Sequence, residues 1–529
     1  MTNPSTAPPS VAAGPPLTAL GALLGGPRVE DLLTRAAETA PERVALRCGT
    51  TEIRYAELDA RAAACAAALA ARVPGPDSVV ALAMVLDPVF AVAYYAVARS
   101  GNISALVNPL LRESALLHVL STARARAAIV PPELYRRLAP VLSRLPDLDL
   151  VVLTGRDPDF PELPTVPELV AGDAPPVPGA RPAAPPEQAV ACLQFTSGTT
   201  GAAKAVQLTH RNLVVNAAQT AYGHQLGPES VLFNYLPTFH LMHLNAGVTA
   251  AATHVLHPGE DPVEAAAEAG RQQATHFYTL PSRLTRLAAH PSLGELELPA
   301  LRAILSGGST LAAAPATALS QQFGVPVVQG FGLAETGPSA TLGDLDRPKS
   351  GSSGIPVPGA EIRVVGIGDG KTVPLGDKGE IQVRGPQLML GYSGRDRGQD
   401  FLPGGWFATG DVGLLDADGH LFVTDRIKDV FKTDNWLVCP SQIERVLLRH
   451  PAVSDCVVFD YPDAVSGAVA YAQVVLAQDA SPEEIAASVN EQLPYYEHLK
   501  HVSAVDEIPR SPTGKVRRAD LRAAVLAAK

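Results

Sequence analysis

From Val29 onward the apolar positions follow two alternating spacings. In VEDLLTRAAETA (29–40) and in the alanine-rich run from Ala60 to Arg72 they recur three and four residues apart, which predicts helices with one buried face. Between such stretches lie short, nearly unbroken apolar runs: VVALAMV (79–85), AAIVP (127–131) and DLVVLTG (149–155). Strand-length runs separated by helices are the pattern of parallel strands covered on both faces. ATHFYTL (274–280) and LRAILSGGST (301–310) repeat the strand-then-turn theme, and VALRC with TEIRYAELD predicts short strands or a turn into a helix. The most apolar stretch, VVALAMVLDPVFAVAYYAVA, is broken by Asp87-Pro88. It predicts a buried strand, a turn and a core helix, and no membrane span. Residues 155–187, rich in Pro, Asp and Gly, predict a surface connection.

At Gly354 the spacing changes. EIRVVG, GEIQVRG and HLFVTDR alternate apolar and polar positions between Gly, Asp and Pro turns, which predicts a β-rich subdomain over about 354–427. After Lys428 the pattern predicts a compact αβ segment. It has a helix from Ser441, strands near 453–459 and 470–477, a helix from Pro482 and a tail helix, ADLRAAVLAA. No internal repeat is visible. The fold class is α/β.

Composition narrows this picture only a little. The 529 residues suggest three or four structural units, and a hydrophobic content of 47 % supports a large core. A net charge of −11 argues against a general nucleic-acid binder. Cys48, Cys65, Cys192, Cys439 and Cys456 have no CxxC spacing and read as small buried hydrophobes in a reducing cytoplasm. Residues 1–28 carry no basic residue before Arg28, so they lack a signal-peptide start and read as a flexible Pro/Ala/Gly leader.

The candidate chemistry sits on glycine-punctuated loops. In FTSGTTGAAK (Phe195 to Lys204), Gly198 and Gly201 let several backbone N–H groups converge on one point, a geometry that binds phosphate. The hydroxyls of Thr196, Ser197, Thr199 and Thr200 add donors and Lys204 adds a point charge. The spacing is not GxxxxGK[ST], so this is not the usual NTPase loop, and an isolated Ser/Thr/Gly loop is more often a surface turn. GFGLAETG (Gly330 to Gly337) places Glu335 in a Gly-flanked loop, suited to Mg²⁺ that shares its shell with substrate phosphates. GWFATGD ends in Asp411, which can accept from two ribose hydroxyls. TDRIKD holds Arg426 and Lys428, and PRSPTGK presents Lys515 on a Pro/Gly turn. Each has a plain alternative: a solvated loop acid, a turn former, a surface charge, a helix-start cation.

The five motifs, in this order and spacing from about Val29 to the C-terminus, resemble the adenylate-forming superfamily of acyl-CoA synthetases, stand-alone adenylation domains and beetle luciferases. The resemblance implies a large N-terminal domain, 29–427, of two αβ subdomains plus a small β-barrel. A small mobile α+β domain, 428–529, would follow. It implies that a carboxylate attacks the α-phosphate of Mg-ATP to give acyl-AMP, and that after a domain rotation the thiol of CoA attacks the mixed anhydride. Carried over residue by residue, Thr196 to Lys204 would grip the β- and γ-phosphates. Phe331 would stack near adenine, with Gly307, Gly308 and Gly332 nearby, and Ala334 would adjoin the α-phosphate. Glu335 would bind Mg²⁺, Asp411 the ribose, and Arg426 the ribose or phosphate. Lys515 would supply charge during adenylation and Lys428 would be the hinge. His240 in PTFH, with Asn245 and Gly330, would lie at the acyl pocket. The partners implied are a small carboxylic acid or its acyl-adenylate and CoA, in a monomer or homodimer, with no nucleic acid.

The departures fall on the same elements. The family usually carries Thr or Ser before the Mg²⁺ glutamate, where this chain has Ala334. Ala203 replaces a common proline, Asp425 precedes Arg426 where Gly is usual, and Asp434-Asn435 replaces Gly-Gly. Losing a hydrogen bond to a charged group costs about 1.5–3 kcal/mol. A normal two-step ligase that tolerates Ala334 is the default expectation, and an impaired adenylation half-reaction is the hypothesis set against it. PTFHLMHLNAG has no acid to pair with an α-ammonium group, which disfavours an amino-acid substrate. A carrier-protein thiol in place of CoA, a luciferase-like oxygenase and a non-catalytic nucleotide sensor are the other classes. Retention of Lys204, Glu335, Asp411 and Lys515 together opposes the last. His243, Met242 and the Ser306–Gly308 turn belong near a pocket suited to fatty, aryl or terpenoid acids.

Overall fold

The computed structural model describes residues 9–172, 186–196, 203–396, 398–434, 436–510 and 516–527. Two seven-stranded sheets carry the larger part. The first runs Gly391–Tyr392, Ala205–Thr209, Val190–Phe195, Ile103–Val107, Val79–Ala83, Ala127–Val130, Leu150–Leu153. Its last five strands are parallel and its first two are antiparallel additions. The second runs Val327–Gln329, Ala303–Ser306, His276–Thr279, Val231–Tyr235, Thr253–Leu256, Val44–Cys48, Thr51–Arg54, parallel except for the last strand.

The apolar runs form the parallel strands as expected, because both faces of each sheet are covered by helices. Asp87 stops the strand Val79–Ala83 from merging with the next helix. Its carboxylate caps helix Pro88–Arg99 by accepting from the Val89 N–H at 2.8 Å. That helix is buried nearly all round and packs Phe90, Tyr94 and Tyr95 into the main core. Burial of each such side chain contributes roughly 1.5–3 kcal/mol. Among the described residues no helix is long and apolar enough to cross a membrane. The five cysteines are free thiols; four are buried, and burial pushes the Cys65 thiol up to about 12.

The β-rich region forms a five-stranded antiparallel sheet: Val11–Ala13, Glu361–Val365, Gly379–Arg384, Phe407–Leu415, Leu421–Arg426. Val11–Ala13, expected in a flexible leader, is its edge strand, paired with Glu361–Arg363, and Leu20 beyond it is buried. An open sheet edge recruits any nearby extended segment, whatever that segment's composition. The last sheet contains Val453–Asp463, Gly467–Leu476 and Leu499–Ala504, with the hairpin Phe431–Thr433/Trp436–Val438. Helix Pro440–Leu447 fastens it to the β-rich sheet. The Ser441 hydroxyl donates to the Thr424 carbonyl at 2.6 Å and to Asp425 at 2.7 Å. Burial raises the Asp425 carboxyl to about 6.

Candidate functional site

The glycine-threonine loop lies at the tip of an antiparallel hairpin. Strand Val190–Phe195 runs into it and strand Ala205–Thr209 leaves it, before the helix His210–Gly223 begins. Ser197, Gly198, Thr199, Thr200 and Gly201 lie outside the described residues. The neck is well defined. Thr196 N–H donates to the Lys204 carbonyl and Lys204 N–H donates to the Thr196 hydroxyl, both at 3.1 Å. The ring of His118 donates from Nε2 to the Ala203 carbonyl at 2.9 Å. The described residues after it enter strand Ala205–Thr209 and not a helix, and Lys204 is exposed at the neck.

The second arm is the loop from Gly330 to Pro338. Phe331–Gly332 pairs with Ser339–Leu342, and the chain folds back so tightly that a Cβ on Gly332 would lie 1.7 Å from the Pro338 carbonyl oxygen. A single helical turn, Ala334–Thr336, follows. The Thr336 hydroxyl accepts from Leu333 N–H at 2.8 Å and bonds back to the Leu333 and Pro338 carbonyls. Glu335 is only 8 % exposed. Its backbone carbonyl accepts from Met389 N–H at 2.9 Å, and its carboxylate accepts from the Tyr392 hydroxyl at 2.6 Å. Lys204 stands over the Tyr392 ring, 4.7 Å from its centroid. Lys204 and Glu335, from two distant motifs, are thus joined through one tyrosine.

The third group lies on the β-rich sheet. Asp411 and Arg426 are register partners on adjacent strands, with Nε to Oδ1 at 3.2 Å. Asp411 N–H donates to the Thr409 hydroxyl at 3.0 Å. Lys428 is exposed, in the turn between this sheet and the next. An isolated bridge, Arg510 to Val516, flanks the segment holding Lys515, which itself lies outside the described residues.

His240 caps the helix Leu241–Thr249, with Nδ1 accepting from Met242 N–H at 3.2 Å, so its proton resides on Nε2. Burial lowers His240 to about 4 and holds His243 well below the ordinary imidazole range. His243 packs edge-on against Tyr278, ring centroids 4.7 Å apart. Gly330 N–H donates to the Ser306 carbonyl at 3.2 Å, which ties the end of strand Ala303–Ser306 to the start of this loop. Gly307 has nothing within 4 Å of where a Cβ would lie, and Gly308 takes φ +86°.

Asn245 departs from expectation. It is 1 % exposed and both ends of its amide are engaged, Oδ1 by Tyr95 at 2.9 Å and Nδ2 by Tyr94 at 3.1 Å. It fastens helix Leu241–Thr249 to helix Pro88–Arg99. Tyr392 escaped notice in the sequence because it lies on a two-residue strand, Gly391–Tyr392, too short for any hydrophobic period. The Gly-Tyr pair after the apolar LML run is the one local signal.

Comparison with known proteins places this geometry in context. The model of the family described as AMP-binding enzyme matches residues 33–393, and that of the AMP-binding enzyme C-terminal domain matches residues 442–515. A feruloyl-CoA synthase of Amycolatopsis sp is 30 % identical over 503 residues, 92 % of this chain and 97 % of the relative. A 4-coumarate–CoA ligase 2 of Nicotiana tabacum is 29 % identical, covering 89 % of each chain. The crystal structure of the anthranilate CoA ligase AuaEII in complex with anthranoyl-AMP superposes with a TM-score of 0.83 at 25 % identity, over 95 % of this chain and 98 % of that one.

Proposed function

The chain belongs to the AMP-binding enzyme family, and from that premise we propose that it joins an uncharged aromatic carboxylic acid to CoA, with adenylation as the slower half-reaction. It is a carboxylic acid–CoA ligase of the adenylate-forming type. One observation carries the site assignment: the neck of the phosphate loop and the acidic turn converge on Tyr392, with Lys204 and Glu335 on either side of it.

A carboxylate acylates poorly because oxide is a poor leaving group, and AMP is a good one. Negative charge accumulates at phosphorus as the carboxylate adds, so cations directed there lower the barrier. In this assignment Thr196, the loop residues and Lys204 hold the outer phosphates. Phe331 with Gly307 and Gly308 flanks adenine, Asp411 and Arg426 hold the ribose, and Lys515 reaches the α-phosphate. Lys428 is the pivot about which 428–529 turns. Among the described residues no group of three His, Cys, Asp or Glu side chains forms a protein-only metal cage. Glu335 as the single carboxylate of the set fits Mg²⁺ that arrives with nucleotide phosphates. Such an ion neutralises phosphate charge when bound.

Ala334 supports the slow first step. Its methyl packs against the main core, and the nearby Thr336 hydroxyl is held inside its own turn, so it cannot replace the missing donor. The acyl side offers neutral imidazoles, which suit an uncharged acyl group, and the names of the relatives point to aromatic acids. The test compares ATP–pyrophosphate exchange with thioester formation from the synthetic acyl-adenylate. Exchange is expected to be at least tenfold slower, and Ala334→Thr to raise it by roughly tenfold. Exchange in the unaltered enzyme that matches thioester formation would sink the proposal.

A further inference from the structure

We propose that Tyr392 is a positioning residue of the nucleotide site, whose single side chain keeps Lys204 and Glu335 apart and correctly aimed. The inference rests on the assignment of those two residues to the outer phosphates and their accompanying cation.

The geometry begins with the backbone. Gly391–Tyr392 pairs antiparallel with Gln207–Val206, and flanking bonds from Leu390 N–H to the Gln207 carbonyl (2.9 Å) and Ser393 N–H to the Ala205 carbonyl (2.8 Å) fix its register. Tyr392 therefore sits opposite Val206, two residues from Lys204. The same segment pins the acidic turn, through Met389 N–H and the Glu335 carbonyl. The phenol then makes two different contacts. Its hydroxyl donates a short, charge-assisted hydrogen bond to Glu335 Oε1, and its face receives the Lys204 ammonium. Arg395 Cζ lies 5.5 Å from the same ring centroid.

An ammonium and a carboxylate held by the same side chain would, without it, be free to pair, each cancelling the charge the other must offer to a triphosphate and its cation. Tyr392 instead engages each one separately, the ammonium on its face and the carboxylate at its hydroxyl. A tyrosine that only filled space would leave its hydroxyl uncommitted; this one is committed to the carboxylate expected to carry the metal.

Removing only the hydroxyl and removing the whole ring give different outcomes. Tyr392→Phe keeps the cation–π face and frees Glu335. Tyr392→Leu also lets Lys204 and Glu335 pair. Binding of α,β-methylene-ATP is measured by calorimetry across a magnesium titration, with AMP, which lacks the outer phosphates, as the reference ligand. The Mg²⁺ concentration for half-maximal enhancement of analogue binding is expected to rise about tenfold in Tyr392→Phe, with the AMP Kd unchanged. In Tyr392→Leu, magnesium-free binding of the analogue is expected to weaken at least threefold as well. A Tyr392→Phe enzyme that titrates with Mg²⁺ like the unaltered one overturns the inference. So does equal weakening of AMP and analogue, the mark of a merely structural residue. If the unaltered enzyme binds no analogue, the site assignment itself falls and takes this inference with it.

Discussion

The two seven-stranded sheets share a parallel core yet differ in the polar groups they carry. The first continues into two antiparallel strands, and on these it carries the charged groups: Lys204 at the loop neck, exposed, and Tyr392 holding Glu335. Among the described residues the second ends at Val327–Gln329 without such strands, and its buried polar groups include several imidazoles. His224 bonds Tyr278 through Nδ1 at 2.9 Å, and His276 donates to the His224 carbonyl at 2.9 Å. Burial lowers His224 to about 3 and His254 and His276 to about 4. The difference follows from solvation. A permanent charge is costly to bury, and the ammonium of Lys204 stays exposed. Imidazole can shed its charge near neutrality, so it supplies polar groups to a buried sheet at little cost.

The largest test of this division removes the charged arm. Lys204→Ala or Glu335→Gln is expected to lower ATP–pyrophosphate exchange by roughly 10²–10³-fold, the usual cost of losing a preorganised group at developing charge. Thioester formation from the synthetic acyl-adenylate should fall far less, since the outer phosphates have already left. Equal losses in both assays would mean that the first sheet's end does not act on the triphosphate.

The next effect concerns pH. A buried histidine with a native value near 4 and an ordinary value near 6.5 leaves the unfolded chain binding more protons below pH 6.5. Stability is therefore fully present above about pH 6.5 and is lost as pH falls toward 4. At pH 5 each such ring costs on the order of 2 kcal/mol. Hydrogen exchange at pH 7 and pH 5, corrected for intrinsic rates, should show roughly tenfold or greater loss of protection in Val231–Tyr235, Thr253–Leu256 and His276–Thr279. Val79–Ala83 and Ile103–Val107 should change less. A uniform loss across both sheets would erase the contrast.

The smallest effect separates packing from recognition on the acyl side. Asn245→Leu leaves the Tyr94 and Tyr95 hydroxyls unpaired in the core, at about 1–3 kcal/mol. Urea unfolding should detect that loss, with the KM for the acid within twofold of the unaltered value. A large KM change without destabilisation would return Asn245 to the substrate pocket.

Much of the fold was legible in the chain because local rules and global packing agree. The unbroken apolar runs became parallel strands, the alternating runs after Gly354 became an antiparallel sheet, and Asp87-Pro88 became a helix start. Near a pocket motif Asn245 reads as a ligand group, and its two tyrosine partners, far away in sequence, emerge only in the fold. Val11–Ala13 looked like leader because edge pairing leaves little mark on composition.

The sequence by itself determined the order of strands and helices, the glycine-rich loops and the residue types at each motif, since these depend on neighbours a few positions away. Only the tertiary structure decided that Tyr392 stands between Lys204 and Glu335, that Asp411 faces Arg426, and that the Thr336 hydroxyl is spent inside its own turn. Those are questions of distance and free hydrogen-bonding capacity. They are answered where strands remote in sequence come into register, or where a turn closes on itself.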